Sequence, residues 1–461
     1  MCRSDQDQFL TDMERDGNKA INKMLATVDA EKSECWKAED REQIFAVVRS
    51  TVGFDGINSM VFERLRSWVL TIAEEALQNE KEIEKKMQLK STIGLLYLGQ
   101  GKYENAELHF RNCLEWRQSS LGEDHPETLN VMHSLGLVKK LQGNLKEAEE
   151  MFIQCLEKRK ACLGNDHPDT LHALNNLANI HKSRGKNDIA EKLFIECLEK
   201  RTAILGEEHP ETLSSMNNLA VLYRNQRKYK LAEPLYVKCL ELKKGTLGSE
   251  HPDTIKSINN LGVLYCYQRR YDLAEPLYTE CLNFKKVKMG LNNPATLTSM
   301  YNLADLYESQ MKYESAEPLY TECLTRRKEV LGPDHPDTLV TQSYLAALCK
   351  AQKRFDLAEE LLVDCVERKT KSVGRNNAGT ISNMLHLADV YEQQEKYDAS
   401  ESLIKECLAF QTEKLGDNHD DTLKTLNDLA HLFKVQMKYD LAEELYERCF
   451  NMKRDQITFP H

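Results

Sequence analysis

Residues Leu213–Pro252 read LSSMNNLAVLYRNQRKYKLAEPLYVKCLELKKGTLGSEHP, and this one stretch holds a whole structural unit. Its first half is apolar at Leu213, Met216, Leu219, Ala220, Leu222 and Tyr223, the spacing of a helical stripe. After Gln226-Arg227-Lys228 a second stripe runs through Leu231, Ala232, Leu235, Tyr236, Cys239, Leu240 and Leu242. Gly248 is expected to stop that helix, since a residue without a Cβ takes the left-handed conformation past a helix end at little cost. Glu250-His251-Pro252-Asp253 then opens the next helix, with proline and acid where a first turn favours them. Pro234, Pro276 and Pro318 share a phase, each four residues after Lys230, Asp272 or Glu314. An acid there would cap the second helix and leave the proline in its first turn. The unit is therefore a helical hairpin, and neither helix hides its stripe alone.

The same pattern returns every 42 residues. Cys113, Cys155, Cys197, Cys239, Cys281, Cys323, Cys365, Cys407 and Cys449 keep the step, as do Gly122 through Gly416 and Thr128 through Thr422. A period of this size means a solenoid in which stacked hairpins share one continuous core. Ala106, Ala148, Ala190, Ala232, Ala274, Ala316, Ala358 and Ala442, with Ser400 in the remaining place, mark where helices touch. Phe110, Phe152, Phe194, Tyr236, Tyr278, Tyr320 and Tyr446 fill the adjoining space. Small against large lets helix axes approach to roughly 8–10 Å. The in-phase cysteines read as small buried apolar residues. Bridges between successive ones are not expected, since the helix spacing lies beyond the ~7 Å Cα limit for a disulfide.

Of the 461 residues, 41% are hydrophobic and 29% charged, and the formal net charge is −11. That balance argues against nucleic acid as a partner. No run approaches 18 apolar residues and Met1–Leu10 lacks a signal-peptide layout, so no membrane insertion is expected. Fourteen cysteines without a secretory signal point to a reducing, cytoplasmic setting.

Leu219-Ala220, Tyr223, Tyr229, Ala232 and Tyr236, with Cys239 at a small-residue position, resemble the tetratricopeptide pattern. The lengthened 42-residue form, with HPDTLHALNNLA at His167–Ala178 and KYKLAEPLY at Lys228–Tyr236, is similar to the repeats of kinesin light chains and of nephrocystin-3. The resemblance implies an all-α, right-handed superhelical solenoid of nine helix-turn-helix repeats over residues 83–453. It also implies a concave groove lined by the first helix of each repeat, and asparagines there that bind the backbone of an extended peptide.

Outside the array, residues 1–37 form an amphipathic or partly disordered segment, with Leu10, Met13, Ile21, Met24 and Val28 spanning about three heptads. Kinesin light chains carry a long coiled coil there that pairs with the motor heavy chain, and this shorter segment departs from it. Residues 38–82 read as a helical cap, with a break between two helices bracketed by Gly53 and Gly56. A tail of residues 454–461 follows the last repeat.

Catalytic motifs are missing: there is no G-x-x-x-x-G-K-[ST], no H-E-x-x-H and no G-x-S-x-G. His125, His167, His209, His251, His335 and His419 recur before the first helices, but no Cys-x-x-Cys or close His pair accompanies them. They read as turn residues, and neither a metal nor a cofactor is expected. The chain reads as no enzyme.

Polar residues in phase on the first helices are what the core leaves unexplained. Asn176, Asn218, Asn260 and Asn302 precede the core leucine of four successive repeats, and Asn175, Asn217 and Asn259 stand beside three of them. A carboxamide both donates and accepts, so a ladder of them suits the main chain of a ligand. The same groups also suit bonds to neighbouring helices that fix repeat geometry. Lys140, Lys182 and Arg224 end the first helices of repeats two to four, and Lys256 begins that of repeat five. Asp305, Glu308, Asp389 and Glu392 hold comparable places further on, while Tyr267 and Tyr301 offer stacking contact between. The expected function is a non-catalytic scaffold that binds extended acidic peptide segments. Its narrower alternatives are a kinesin light chain proper, joined to a motor heavy chain, and the regulatory array of a larger multidomain protein.

Overall fold

The computed structural model describes residues 53–458, and in 53–63, 65–66 and 455–458 the backbone alone. The amphipathic reading of 1–37 and the first of the two cap helices lie outside the described residues. Every described element is an α-helix. The first, α1, spans Gly53–Asn79, so Gly56 lies inside it and does not mark a break.

From there the helices alternate as pairs. In the first compact unit, which ends at Gly290, these are α2 (Ile83–Gly99) with α3 (Tyr103–Ser120) and α4 (Pro126–Leu141) with α5 (Leu145–Leu163). They continue as α6 (Pro168–Ser183) with α7 (Asn187–Leu205), α8 (Pro210–Asn225) with α9 (Tyr229–Leu247), and α10 (Pro252–Tyr267) with α11 (Tyr271–Met289). The second unit, from Leu291, contains α12 (Pro294–Ser309) with α13 (Tyr313–Val330) and α14 (Pro336–Ala351) with α15 (Phe355–Val373). It ends with α16 (Ala378–Gln393) and α17 (Tyr397–Leu415), then α18 (Asp420–Val435) and α19 (Tyr439–Thr458). The last helix thus runs past residue 453. This is an all-α solenoid of repeated helical pairs.

The 42-residue period has a specific physical content. Between pairs, Gly206 adopts φ 85°, ψ 165°, a region essentially restricted to glycine and different from the left-handed C′ state expected for this series. The threonine six residues later closes that turn: Thr170 Oγ1 donates to Gly164 O at 2.9 Å, and Thr254, Thr338 and Thr422 do the same to their glycines. The recurrent histidines are N-caps. His209 Nδ1 accepts from Glu211 N at 3.3 Å, and Asn293 and Asn377 take the same role in the two repeats where histidine is replaced. The in-phase thiols are buried and unbridged, and each donates weakly to a first-helix carbonyl, as Cys239 does to Leu213 O at 3.6 Å. Burial pushes the Cys155 and Cys281 thiols up to about 11 and about 12, so they stay protonated.

In each unit the core forms where the aromatic of a second helix meets a small residue of the first. Phe194 is fully buried among Ala178, Ala190 and Leu219. Tyr278 stands so close to Gly262 that a Cβ there would meet its ring at 2.8 Å. In the second unit Tyr320 packs with Ala304 and Ala316, and Ser400, the one polar member of the alanine series, donates its hydroxyl to Ala388 O at 2.8 Å. Helix α1 packs Val69, Leu70 and Ala73 on Leu89, Ile93 and Tyr97 of α2, and it also lies against α11.

One expectation is corrected. The helices α9, α11 and α13 begin at Tyr229, Tyr271 and Tyr313, preceded by Lys228, Arg270 and Lys312, none of which caps through its side chain. Asp272 and Glu314 therefore lie in the first turn, and Pro234, Pro276 and Pro318 lie inside the helix. The cause is the tight turn before them. Arg227 has φ 60° and Lys228 N bonds back to Tyr223 O at 2.8 Å, so the new helix starts at once. Its first turn tightens, with Leu231 N on Lys228 O at 3.1 Å.

Candidate functional site

On α6 the residues His172, Asn175, Asn176, Asn179 and Lys182 fall at helical spacing on one face. The carboxamides of this face join one repeat to the next. Asn218 Nδ2 donates to Asn175 Oδ1 at 3.1 Å, Asn260 Nδ2 donates to Asn217 Oδ1 at 2.8 Å, and Asn176 Nδ2 stands 3.0 Å from His133 Nε2. The asparagine pairs thus form a ladder between adjacent first helices. Each rung takes one of the two N–H groups of the donor and one of the two lone pairs of the acceptor, so it uses part of the valence of each. Asn259 on α10 and Asn302 on α12 hold matching half-buried places, the latter in the second unit.

The ladder changes character in repeat two, where histidine replaces asparagine. His133 is wedged edge-on against Phe152 at 5.2 Å and stacked on His172 at 5.8 Å. Burial, followed by the charge of Arg159, brings its pKa down to about 3, so the ring is neutral.

The C-terminal ends of α4, α6 and α8 carry Lys140, Lys182 and Arg224, all half-buried. Lys182 reaches Asn179 Oδ1 at 3.1 Å and lies 5.9 Å from the centre of the Phe194 ring. Arg224 bonds Asn225 Oδ1 at 3.2 Å and stands over Tyr267 at 5.9 Å, and Tyr267 stacks on Tyr229. Burial lowers the pKa of Lys182, and the neighbouring charges of Lys140 and Arg224 lower it further. Burial likewise lowers that of Lys140. Among the described residues none of the three has an ion-pair partner. Cations elsewhere in this unit do: Lys139 meets Glu107 at 2.8 Å, and Arg270 meets Glu233 at 2.8 Å. The three unpaired cations form one electropositive strip on successive repeats.

Two predicted site residues fall outside the strip. Lys256 is exposed at the other end of its helix and pairs with Asp253 at 3.4 Å. Tyr301, in the second unit, is held between Tyr320 and Tyr344 at 5.8 and 5.3 Å, with Arg327 over its ring. In that unit the comparable positions are acidic. Burial raises the carboxyls of Asp305 and Glu308, and Tyr320 Oη donates to Glu308 at 2.9 Å. Asp389 accepts from Lys350, and His431 faces Glu392 at 3.3 Å. Among the described residues no three His, Cys, Asp or Glu side chains converge to hold a metal, and no helix is long and apolar enough to cross a membrane.

Sequence reasoning missed Asn179, although its i, i+3 spacing to Lys182 was readable. It also missed a second repeating series. Arg117, Arg159, Arg201, Lys243, Arg327 and Lys369 each follow an in-phase cysteine by four residues and reach into the next first helix. Arg201, only 1% exposed, donates to Glu211 O at 3.0 Å and Ser215 Oγ at 2.8 Å.

Stacked helical pairs with a repeated polar face on their first helices define a class, the helical repeat scaffolds that bind other proteins. The tetratricopeptide repeat model matches residues 86–161, 134–202, 169–245, 216–286, 292–371 and 380–455, and the chain belongs to this family. Among solved structures it is similar to the apo form of RapI, with a TM-score of 0.57 and 13% identity over 81% of this chain and 98% of that one. It is also similar to BtubC (BKLC) from P. vanneervenii, with a TM-score of 0.44 and 22% identity over 51% of this chain and 94% of that one. The TPR-like repeats assigned to a Podosopora anserina kinesin light chain match with a TM-score of 0.43 and 21% identity over 45% of this chain and 99% of that one. A search of curated protein sequences finds no match.

Proposed function

We propose that this tetratricopeptide array is a non-catalytic adaptor that captures extended, acidic segments of partner proteins along α4, α6 and α8. One observation carries the reading: Lys140, Lys182 and Arg224 sit half-buried on three successive repeats, and none has a carboxylate partner among the described residues. Crowding like charges raises their energy, and a ligand carboxylate relieves it. The asparagine ladder supplies remaining donors and acceptors for a ligand main chain, and the exposed face of Tyr267 supplies an apolar edge. The buried, protonated thiols suit a reducing compartment, and the cytoplasm is the proposed location.

Fluorescence anisotropy on the full chain tests this with a labelled Asp/Glu-rich peptide and its Asn/Gln counterpart. The acidic peptide is expected to bind at least about tenfold more tightly, with an affinity that falls as salt is added. Equal affinity for the two peptides would overturn the proposal.

A further inference from the structure

The cation that follows each in-phase cysteine has a constant task. Arg159 Nη1 donates to Asp169 O at 2.7 Å, Arg201 to Glu211 O at 3.0 Å, Arg327 to Asp337 O at 2.9 Å and Lys369 Nζ to Gly379 O at 3.3 Å. Where the next first helix carries a hydroxyl one turn later, the cation takes that too, as Arg327 does with Thr341 Oγ1 at 2.6 Å. In the pair α16–α17 the position is Gln411. Gln411 is 7% exposed and Thr425, the hydroxyl it faces on α18 by the repeat, is 1% exposed. Neither Gln411 Oε1 nor Thr425 Oγ1 has a hydrogen-bond partner among the described residues. Two buried acceptors are left where earlier repeats, the preceding one with Lys369 included, place a cationic head.

The two residues that carry them border a cleft. This cleft, of about 730 Å³ between α16, α17 and α18, is lined by Gln411 and Thr425 and by charges of both signs, Asp389, Glu392, Asp421 and Asp428 beside Lys414 and Lys424. That volume falls within the range of sites that hold a ligand group, roughly 300–1,000 Å³. Asp421, Thr425 and Asp428 lie along one stripe of α18, with the two carboxylates exposed on either side of the buried threonine. Three of the acids are already engaged: Asp389 with Lys350, Glu392 with His431, and Asp421 with Lys424 at 3.3 Å. Asp428 has no ion pair among the described residues. Burial and the charge of Asp389 raise its pKa, and the charge of His431 opposes that rise.

We propose that this cleft receives an arginine side chain of a partner polypeptide, whose guanidinium takes the place that Arg201 and Arg327 hold in their own repeats. Its planar fork of five donors matches the convergent acceptors, Gln411 Oε1, Thr425 Oγ1 and the Asp421 carbonyl, and Asp428 supplies the opposite charge. A lysine head, with a single charge centre, fills the fork less completely. The site lies on the second unit and takes the sign of charge opposite to that taken by the strip on α4, α6 and α8, so the two stand or fall separately.

The test uses the full chain and a capped alanine peptide with one central arginine, beside versions with citrulline or lysine in that place, followed by ligand-observed NMR. The arginine peptide is expected to bind saturably and at least about tenfold more tightly than the citrulline peptide, with lysine between. Q411R refills the cleft from within. It is expected to weaken the arginine peptide by at least about tenfold while raising the melting temperature. D428N is expected to weaken the peptide without that rise. Equal binding of arginine and citrulline peptides, unchanged binding to Q411R, or a fall in the Q411R melting temperature would each overturn the assignment.

Discussion

Phe194→Ala is expected to cost about 3–5 kcal/mol in local stability, the range for truncating a fully buried ring that leaves a cavity. The ring is 0% exposed and fills the space between Ala178 and Ala190, with Leu219 and Ala220 of the next pair against it. Neighbours fixed on helix backbones cannot collapse into that space. An array of this kind is held by nearest-neighbour interfaces, so the loss stays near the site instead of spreading over the chain. A single unfolding free energy is not defined for such a molecule, and native-state hydrogen exchange is the suitable readout. Amides of α6 to α9 should lose protection by a hundredfold to a few thousandfold, roughly the same energy expressed as a rate ratio. Those of α16 to α19 should keep theirs. Equal loss along the whole chain would contradict a core built of local interfaces.

The second large effect concerns binding. The double variant K182E/R224E is expected to weaken the acidic peptide by about a hundredfold or more, since it removes two attractive charges and installs two repulsive ones. Stability should barely change. Neither cation has an ion pair to lose among the described residues, and although the two new carboxylates repel each other as the cations did, the one at position 182 then faces Lys140 with the opposite charge. What is given up is modest: the contacts of Arg224 with Asn225 and the Tyr267 ring, and those of Lys182 with Asn179 and the Phe194 ring. By contrast, changing Asn218 would also break its bond to Asn175, at about 1 kcal/mol, so a loss of binding there would mix two causes. Thermal denaturation beside anisotropy separates them. A variant that binds normally, or that unfolds, would remove the electropositive strip from the account.

Most of the fold was readable because its signals are local. A glycine, a threonine six residues later and a histidine before a proline all act within one turn, and period 42 multiplied each signal. The cysteine series was readable as core from its phase, although its weak bond to a carbonyl 26 residues back was not. What failed depended on contacts between repeats. The asparagine pairs Asn175-Asn176 and Asn217-Asn218 showed that a ladder existed, yet its rungs span 43 residues, and only coordinates show which carboxamide donates. Arg201 was passed over in sequence and is one of the most buried side chains among the described residues. Its in-phase partners were visible all along, and the departure at Gln411 gains meaning only once their task is known. The proline phase misled for a related reason. The turn that starts α9 is set by the positive φ of Arg227, a residue whose type does not announce it.

The basic strip is tested most directly by the titration of the Lys182 ammonium itself, followed by NMR of ¹³C-labelled lysine side chains with and without saturating acidic peptide. In the free chain its pKa should lie below the ordinary lysine value, because burial and the charges of Lys140 and Arg224 disfavour the ammonium. A ligand carboxylate favours that charged form, so binding should raise the pKa. By linkage, affinity is then full below the free-chain pKa and lost as pH rises through the pKa of the complex. A Lys182 titration that stays in place while the peptide is bound would contradict the account.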